Sequence, residues 1–225
     1  MAGLPCCQVI VLGAVEYLRA WELQRELVAA VHDGARPNTL LLLEHPPVYT
    51  RGRLAQPEHI RLTDEELKAR GIGVVDTDRG GQVTYHGPGQ LVAYPIVNLK
   101  EWGGPLKYVR TLEEVIVNTL ADFGVVAGRE PGLTGVWVGG AKIAAIGVKI
   151  SRGVAHHGLA LNVNPDLSRY GDIIPCGITD RPVTSMARLL GPATPPLTAV
   201  GQSLARRFGE AMGYRMGEGK GWLSF

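Results

Sequence analysis

The chain lacks any run of about 18 apolar residues, so no membrane-spanning helix is expected. Its first residues, MAGLPCCQVIVLG, carry no basic stretch ahead of the apolar ones and read as a first strand rather than a secretion signal. Cysteine is scarce: Cys6, Cys7 and Cys176 are the only three. Two of them are adjacent and the count is odd, which argues against a disulfide framework and makes a reducing cytoplasm the expected compartment. No dense Lys/Arg run occurs and the net charge is only +2, too mild for a nucleic-acid binder. Neither G-x-G-x-x-G ahead of a helix nor G-x-x-x-x-G-K-[ST] is present, and no C-x-x-C or H-E-x-x-H spacing is found. No nucleotide cofactor and no metal is therefore expected. No internal repeat or low-complexity linker divides the 225 residues, which read as one domain, 1–225.

What is present is an ordinary globular composition, 45% apolar and 20% charged, enough to bury a sizeable core. Val9–Gly13 is a short apolar strand. From Ala14 to His32, Leu18, Trp21, Leu27, Val28 and Val31 recur near a 3.6 period and predict an amphipathic helix. Asn38–His45 reads as a buried strand, and PPVYTRGR after it as a proline-fixed loop. Asp64–Arg70 is a short helix stopped by Gly71. Strands are expected at QVTYH and QLVAYPIVNL around the turn GPG. A helix follows from Pro105 to Phe123, with Leu112, Val115, Ile116, Thr119 and Leu120 inward. Three further strands run at Gly135–Val138, Lys142–Ile150 and His157–Val163, and helices close the chain at Ser185–Leu190 and Leu197–Met212. Strands and helices do not alternate cleanly. The fold expected is α/β (α+β): one domain with a large mixed β-sheet flanked by helices.

Three places are equipped for chemistry. Cys176, in GDIIPCGITD, stands between Pro175 and Gly177 on an irregular segment; it is either a small buried hydrophobe or a nucleophile. A nucleophilic thiolate needs its pKa lowered by a nearby cation, a helix N-terminus or an electropositive pocket, and no base lies within a few residues, so the activator must arrive through the fold. Lys142 opens the strand KIAAIGVKI just after VGG. It is either a solvated strand end or a cation that lowers the thiol pKa and can later shuttle a proton. The third place is RGGQVTYHGPGQLVAYP, Arg79–Pro95. Its glycines let something approach the backbone, and because a strand rather than a helix follows, an acyl chain suits it better than a phosphate. His86 lies in this stretch, and His156 and His157 precede GLALNV. Structural roles suit these histidines better than a metal site.

Five blocks occur in order: EHPPVYTRG (Glu44–Gly52), RGGQVTYHGPGQLVAYPI (Arg79–Ile96), KIAAIGVKI (Lys142–Ile150), HHGLALNV (His157–Val163) and IIPCGI (Ile173–Ile178). Together they resemble the lipoyl(octanoyl) transferase family, the octanoyl-[acyl-carrier-protein]:protein N-octanoyltransferases, over about residues 40–190. The resemblance implies a fold similar to the catalytic domain of biotin and lipoate protein ligases. It implies that Cys176 carries the acyl thioester and that Lys142 is its activating partner. It also implies that Arg79, Gly80, Gly81, Gln82, Val83, Thr84, Tyr85 and His86 line the acyl pocket, with Ala145, Ile146 and Gly147 and with Gly158, Leu159 and Ala160. The donor implied is octanoyl-acyl carrier protein, and the acceptors are lipoyl domains of 2-oxoacid dehydrogenase E2 subunits and of the glycine cleavage H protein. No cofactor, no nucleic acid and no membrane enters, and a monomer is expected. AAIG is a variant of a more usual small-residue stretch before IG. Arg51, Arg53, Lys107 and Arg110 are candidates for docking acidic partners.

Two other readings stand beside this one. An ATP-dependent lipoate or biotin ligase shares the fold and a similar lysine but needs no cysteine nucleophile, and a chain ending at Phe225 leaves little room for an accessory domain. A non-catalytic acyl-carrier or lipid binding protein needs the pocket but makes no demand on Cys176 or Lys142.

Overall fold

The computed structural model describes residues 3–100, 102–174 and 181–218. In chain order they form β1 (Cys6–Ala14), α1 (Tyr17–His32), β2 (Asn38–Glu44), β3 (Val48–Arg51), α2 (Asp64–Ala69), β4 (Gly73–Asp76), β5 (Val83–His86) and β6 (Gln90–Asn98). Then come α3 (Pro105–Ala121), β7 (Gly128–Glu130), β8 (Leu133–Val138), β9 (Ala141–Ser151), β10 (Val154–Asn162), α4 (Met186–Leu190), α5 (Leu197–Met212) and β11 (Arg215–Glu218).

Among the described residues, eight strands build one sheet in the order β11-β1-β2-β6-β10-β9-β8-β7. The pairs β11–β1 and β1–β2 are parallel and the remaining pairs antiparallel, so the sheet is mixed, as the sequence predicts. A second sheet holds β4-β3-β5. The two-residue period of a strand divides the central leucines. Leu40 and Leu42 face α3 and α5, while Leu41 and Leu43 face α1. Both faces of the large sheet are covered, which is why β2 and β6 read as nearly continuous apolar runs. Leu112, Val115, Ile116, Thr119 and Leu120 of α3 are all buried, with Leu204 and Phe208 of α5 in the same core. The Thr119 hydroxyl donates to the Val115 carbonyl at 2.7 Å, which lets a polar residue sit there.

Two expectations are corrected. The inward stripe of α1 is Tyr17, Ala20, Leu23, Gln24, Leu27, Val28 and Val31, while Leu18 is 56% exposed. Two polar residues take the inner face because each has work there: Gln24 accepts the backbone N–H of His157 at 2.7 Å, and Tyr17 reaches the pocket described below. The stretch PPVYTRGR is not all loop, for Val48–Arg51 is the middle strand of the small sheet. Val, Tyr and Thr favour the pleated backbone, and the prolines only set its entry. No helix among the described residues is long and apolar enough to cross a membrane.

Candidate active site

The site grows from the β9–β10 pair. Ala145 lies opposite Ala160 and Gly147 opposite Gly158. With β5, β6 and the turn ahead of β5, these strands wall a pocket whose empty space, out to its mouth, is about 450 Å³. Its walls are Arg79, Gly81, Gln82, Val83, Thr84, His86, Ala145, Ile146, Gly147, Gly158, Leu159 and Ala160, joined by Tyr17, Tyr94 and His157. Twelve of the fourteen predicted pocket residues thus come together. Gly80 and Tyr85 do not line it. Gly80 donates its N–H to the Val148 carbonyl at 3.0 Å. Tyr85 turns its ring into a cluster with Tyr49 and Tyr170, each 5.7 Å away between centroids. A Cβ at Gly147 would stand 2.8 Å from the Gly80 oxygen, and one at Gly158 2.2 Å from the Ala93 oxygen. At these two positions the close approach that glycine permits is made by the chain's own backbone.

Tyr17 and Tyr94 escaped sequence reasoning because their roles depend on α1 lying across β6. His157 was visible only as one of a histidine pair. Its backbone carries a φ of +55°. The flanking register, Ala155 with Val97 and Leu159 with Ala93, sets His157 opposite Pro95. The His157 N–H donates to Gln24 Oε1.

The histidine and tyrosine rings in and behind the pocket wall are neutral. His45 donates Nδ1–H to the Val15 carbonyl at 2.6 Å, so its Nε2 accepts from the Tyr94 hydroxyl at 2.8 Å. Burial pulls the His45 pKa down to about 4. Burial, reinforced by His45 and the Arg79 cation, holds His86 well below the ordinary range. Burial likewise pushes the Tyr17 hydroxyl up to about 12. Arg79, a buried cation in this wall, donates to the Thr50 carbonyl, the Thr50 hydroxyl and the carbonyls of Gly80 and Gln82. Asp78, His156 and His157 come close enough together to resemble a metal triad. Both Asp78 oxygens are engaged, however, one by Lys149 in an ion pair and the other by the neutral His157 Nε2–H, each at 2.7 Å. Burial raises the Asp78 carboxyl, and these two partners together outweigh it and hold the pKa low.

Lys142 stands at the start of β9 and is 8% exposed. Its Nζ lies 5.3 Å from the centre of the Trp137 ring, a cation over an aromatic face. It is not part of the pocket lining, but it precedes Ala145 by three residues, about 10 Å along a strand. The β8–β9 pairing shifts register between Val136 and Trp137, leaving Ile143 as an extra residue. That bulge interrupts the alternation that would place Lys142 on one face with Ala144, Ile146 and Val148. The Lys142 backbone pairs beyond the sheet, its N–H donating to Pro182 at 2.8 Å and its carbonyl accepting from Thr184 at 2.9 Å. Cys176 lies outside the described residues. Of the candidate docking residues, Arg51 pairs with Asp76, Arg110 pairs with Glu113, and Lys107 lies 4.8 Å from the Trp102 ring centre.

The family described as lipoyl protein ligase A/B catalytic domain matches residues 16–209. An octanoyltransferase of Chloroflexus aurantiacus is 55% identical over 203 residues, covering 88% of this chain and 91% of its own. In fold, the chain is similar to a bi-partite lipoate protein ligase from Thermoplasma acidophilum, solved in a study with its E2 lipoyl domain. The TM-score is 0.72 at 19% identity, covering 94% of this chain and 86% of that one. A biotin protein ligase from Aquifex aeolicus gives a TM-score of 0.57 at 17% identity, with 91% and 70% covered. The chain belongs to the lipoyl protein ligase A/B catalytic family, on its octanoyltransferase branch.

Proposed function

We propose that this chain transfers an octanoyl group from octanoyl-acyl carrier protein to a lysine of lipoyl domains, through a thioester on Cys176. The acceptors are lipoyl domains of 2-oxoacid dehydrogenase E2 subunits and the glycine cleavage H protein. The 225 residues act as one catalytic domain, as a monomer, in the reducing cytoplasm. The observation that carries the reading is the pocket along β9 and β10, gathered from the segments that the family resemblance assigns to the acyl chain. Relatives at 55% identity that bear the octanoyltransferase name support it.

The Cys176 thiolate attacks the donor carbonyl, forming a new C–S bond, and the carrier's phosphopantetheine thiolate leaves and is protonated. The exchange of one thioester for another is nearly neutral in free energy. The ε-amine of the acceptor lysine then attacks the acyl-enzyme. An amide forms, the Cys176 thiolate is released, and the amine gives up its proton. Lys142 is the group that lowers the thiol pKa and carries the proton in both steps. Backbone N–H groups supply the oxyanion donors. The balance of these steps needs no ATP, metal or redox cofactor. About six buried methylenes contribute about 5 kcal/mol of binding before ordering costs.

Intact-mass spectrometry after mixing the protein with octanoyl-acyl carrier protein, without ATP, tests the reading. The expected gain is one octanoyl group, labile to hydroxylamine, mapped to Cys176, absent in Cys176→Ala and transferred onto an apo lipoyl domain. Lys142→Ala lowers the rate of acylation on the order of 10²-fold or more. Octanoylation that requires ATP, or an adduct that survives Cys176→Ala, overturns it.

A further inference from the structure

One buried hydrogen-bond chain joins the pocket to the strand of Lys142. Arg79 donates to the Thr50 hydroxyl, which donates to His86 Nε2 at 3.4 Å. His86 Nδ1–H donates to Gln90 Oε1 at 2.7 Å. Gln90 Nε2 donates to Asn162 Oδ1 at 2.9 Å, and Asn162 Nδ2 donates to the Thr184 carbonyl at 3.0 Å. The Thr184 N–H then donates to the Lys142 carbonyl. Every link runs donor to acceptor in one sense, so the bonds polarise one another.

The residues of this chain are costly to bury. Gln90 is fully buried and Asn162 is 3% exposed, in a strand whose neighbours are apolar. An apolar side chain of similar size would suit the core as well, unless the amide has a geometric task. The task is visible at Asn162, the last residue of β10. Its oxygen is satisfied by Gln90 and by the Tyr170 hydroxyl at 3.2 Å. Its nitrogen fixes Thr184, eight residues beyond Cys176 in the sequence. Residues 182–184 hold both backbone groups of Lys142, through the Pro182 carbonyl and the Thr184 N–H, with Val183 bridged in parallel to Lys142.

We propose that Asn162 is a positioning residue of the transfer reaction: it fixes residues 182–184 against Lys142, and so sets the lysine relative to the thiol and to the pocket. This rests on the roles given above to Cys176 and Lys142. A misplacement of about 1 Å in such a pair lowers the rate on the order of 10²-fold.

The test compares wild type, Asn162→Ala, Asn162→Asp, Tyr170→Phe and Lys142→Ala in two assays, with thermal midpoints measured alongside. Steady-state transfer gives kcat and KM; peptide-mapped alkylation of Cys176 by iodoacetamide across pH reads the thiol directly, without any octanoyl donor. Asn162→Ala is expected to lose about 10²-fold in kcat, with KM for the octanoyl carrier within threefold, and to move the alkylation profile in the direction set by Lys142→Ala. Asn162→Asp keeps the shape and the acceptor but turns an oxygen toward the Thr184 carbonyl, and should behave alike. Tyr170→Phe removes two bonds from the same network, to Asn162 and from Gln90, without touching Thr184, and should keep kcat within threefold even where its midpoint falls. An unchanged kcat and alkylation profile in the Asn162 variants overturns the proposal, as does an equal loss in Tyr170→Phe. A wild type that takes no octanoyl from the carrier removes the transfer reading instead, and the alkylation comparison still decides the role of Asn162.

Discussion

His45 and His157 are 0% and 1% exposed, and each has its pKa lowered from 6.5 to about 4, chiefly by burial. Between those two values the imidazoles of the unfolded chain take up protons that the folded chain refuses. The unfolded state then binds more protons, so stability is full above about pH 6.5 and falls as the pH drops toward 4. From pH 7.5 to 4.5 each histidine withdraws about 2–3 kcal/mol. Urea unfolding at the two pH values should show a midpoint that falls with acidity, and a shallower fall in His45→Gln; equal midpoints would show that the histidines are not buried neutral. The sequence displays these rings but not their state. Nothing near His45 in LLLLEHPP reveals that Val15 and Tyr94 will close around it, because those contacts depend on α1 crossing the sheet.

Among the elements, long periodic segments were legible, as were the short α2, α4 and β5, while four short strands were not. α3 and α5 read directly, since four turns of 3.6-residue period specify a face. β3, β4, β7 and β11 have three or four residues each, too few for a pattern, and are held as strands by their neighbours. Leu27, Val28 and Val31 of α1 face inward as expected, but the first turns differ because Tyr17 and Gln24 face inward for partners that only the fold supplies. The β8–β9 pair is the case that matters for chemistry. Its bulge beside Lys142 lies opposite Val136 and Trp137, next to Gly135, whose φ is +124°. A Cβ there would stand 2.6 Å from the Ala144 oxygen and 2.7 Å from Lys142 Cε. The Gly135 N–H donates to Glu113, a fully buried carboxylate paired with Arg110 and Arg129. Gly135→Ala should therefore displace the Lys142 side chain and lower the transfer rate by roughly tenfold or more, through misplacement rather than lost binding. Turnover at saturating donor reads this effect, and a wild-type rate would mean that the lysine has room to move.

At the scale of the whole molecule, the large sheet carries the site and the small sheet closes it. β9 and β10 supply one wall, and the turn before β5 is pinned across it by Arg79, whose guanidinium ties Thr50 of β3 to Gln82. The motif blocks were legible one by one in the sequence. Their convergence was not, since the segments 79–86, 145–147 and 158–160 meet only through a register that brings Gly147 opposite Gly158. This construction sets a limit on the substrate. The pocket is bounded by Tyr17, Tyr94, His86 and His157, rings packed against one another and braced from behind by His45. A chain longer than the pocket must either displace this hydrogen-bonded wall or leave its surplus methylenes in water. One methylene changes discrimination by only about 1–3 kcal/mol, so a decanoyl donor should still react, more slowly than octanoyl. A palmitoyl donor exceeds the pocket by far more and should react at least about 10²-fold more slowly in kcat/KM. Competition between octanoyl, decanoyl and palmitoyl carriers, read as acylated Cys176 by mass, measures the order. Equal use of palmitoyl would mean that the ring wall opens, and that the selectivity of the enzyme resides in its contacts with the carrier rather than in the depth of its pocket.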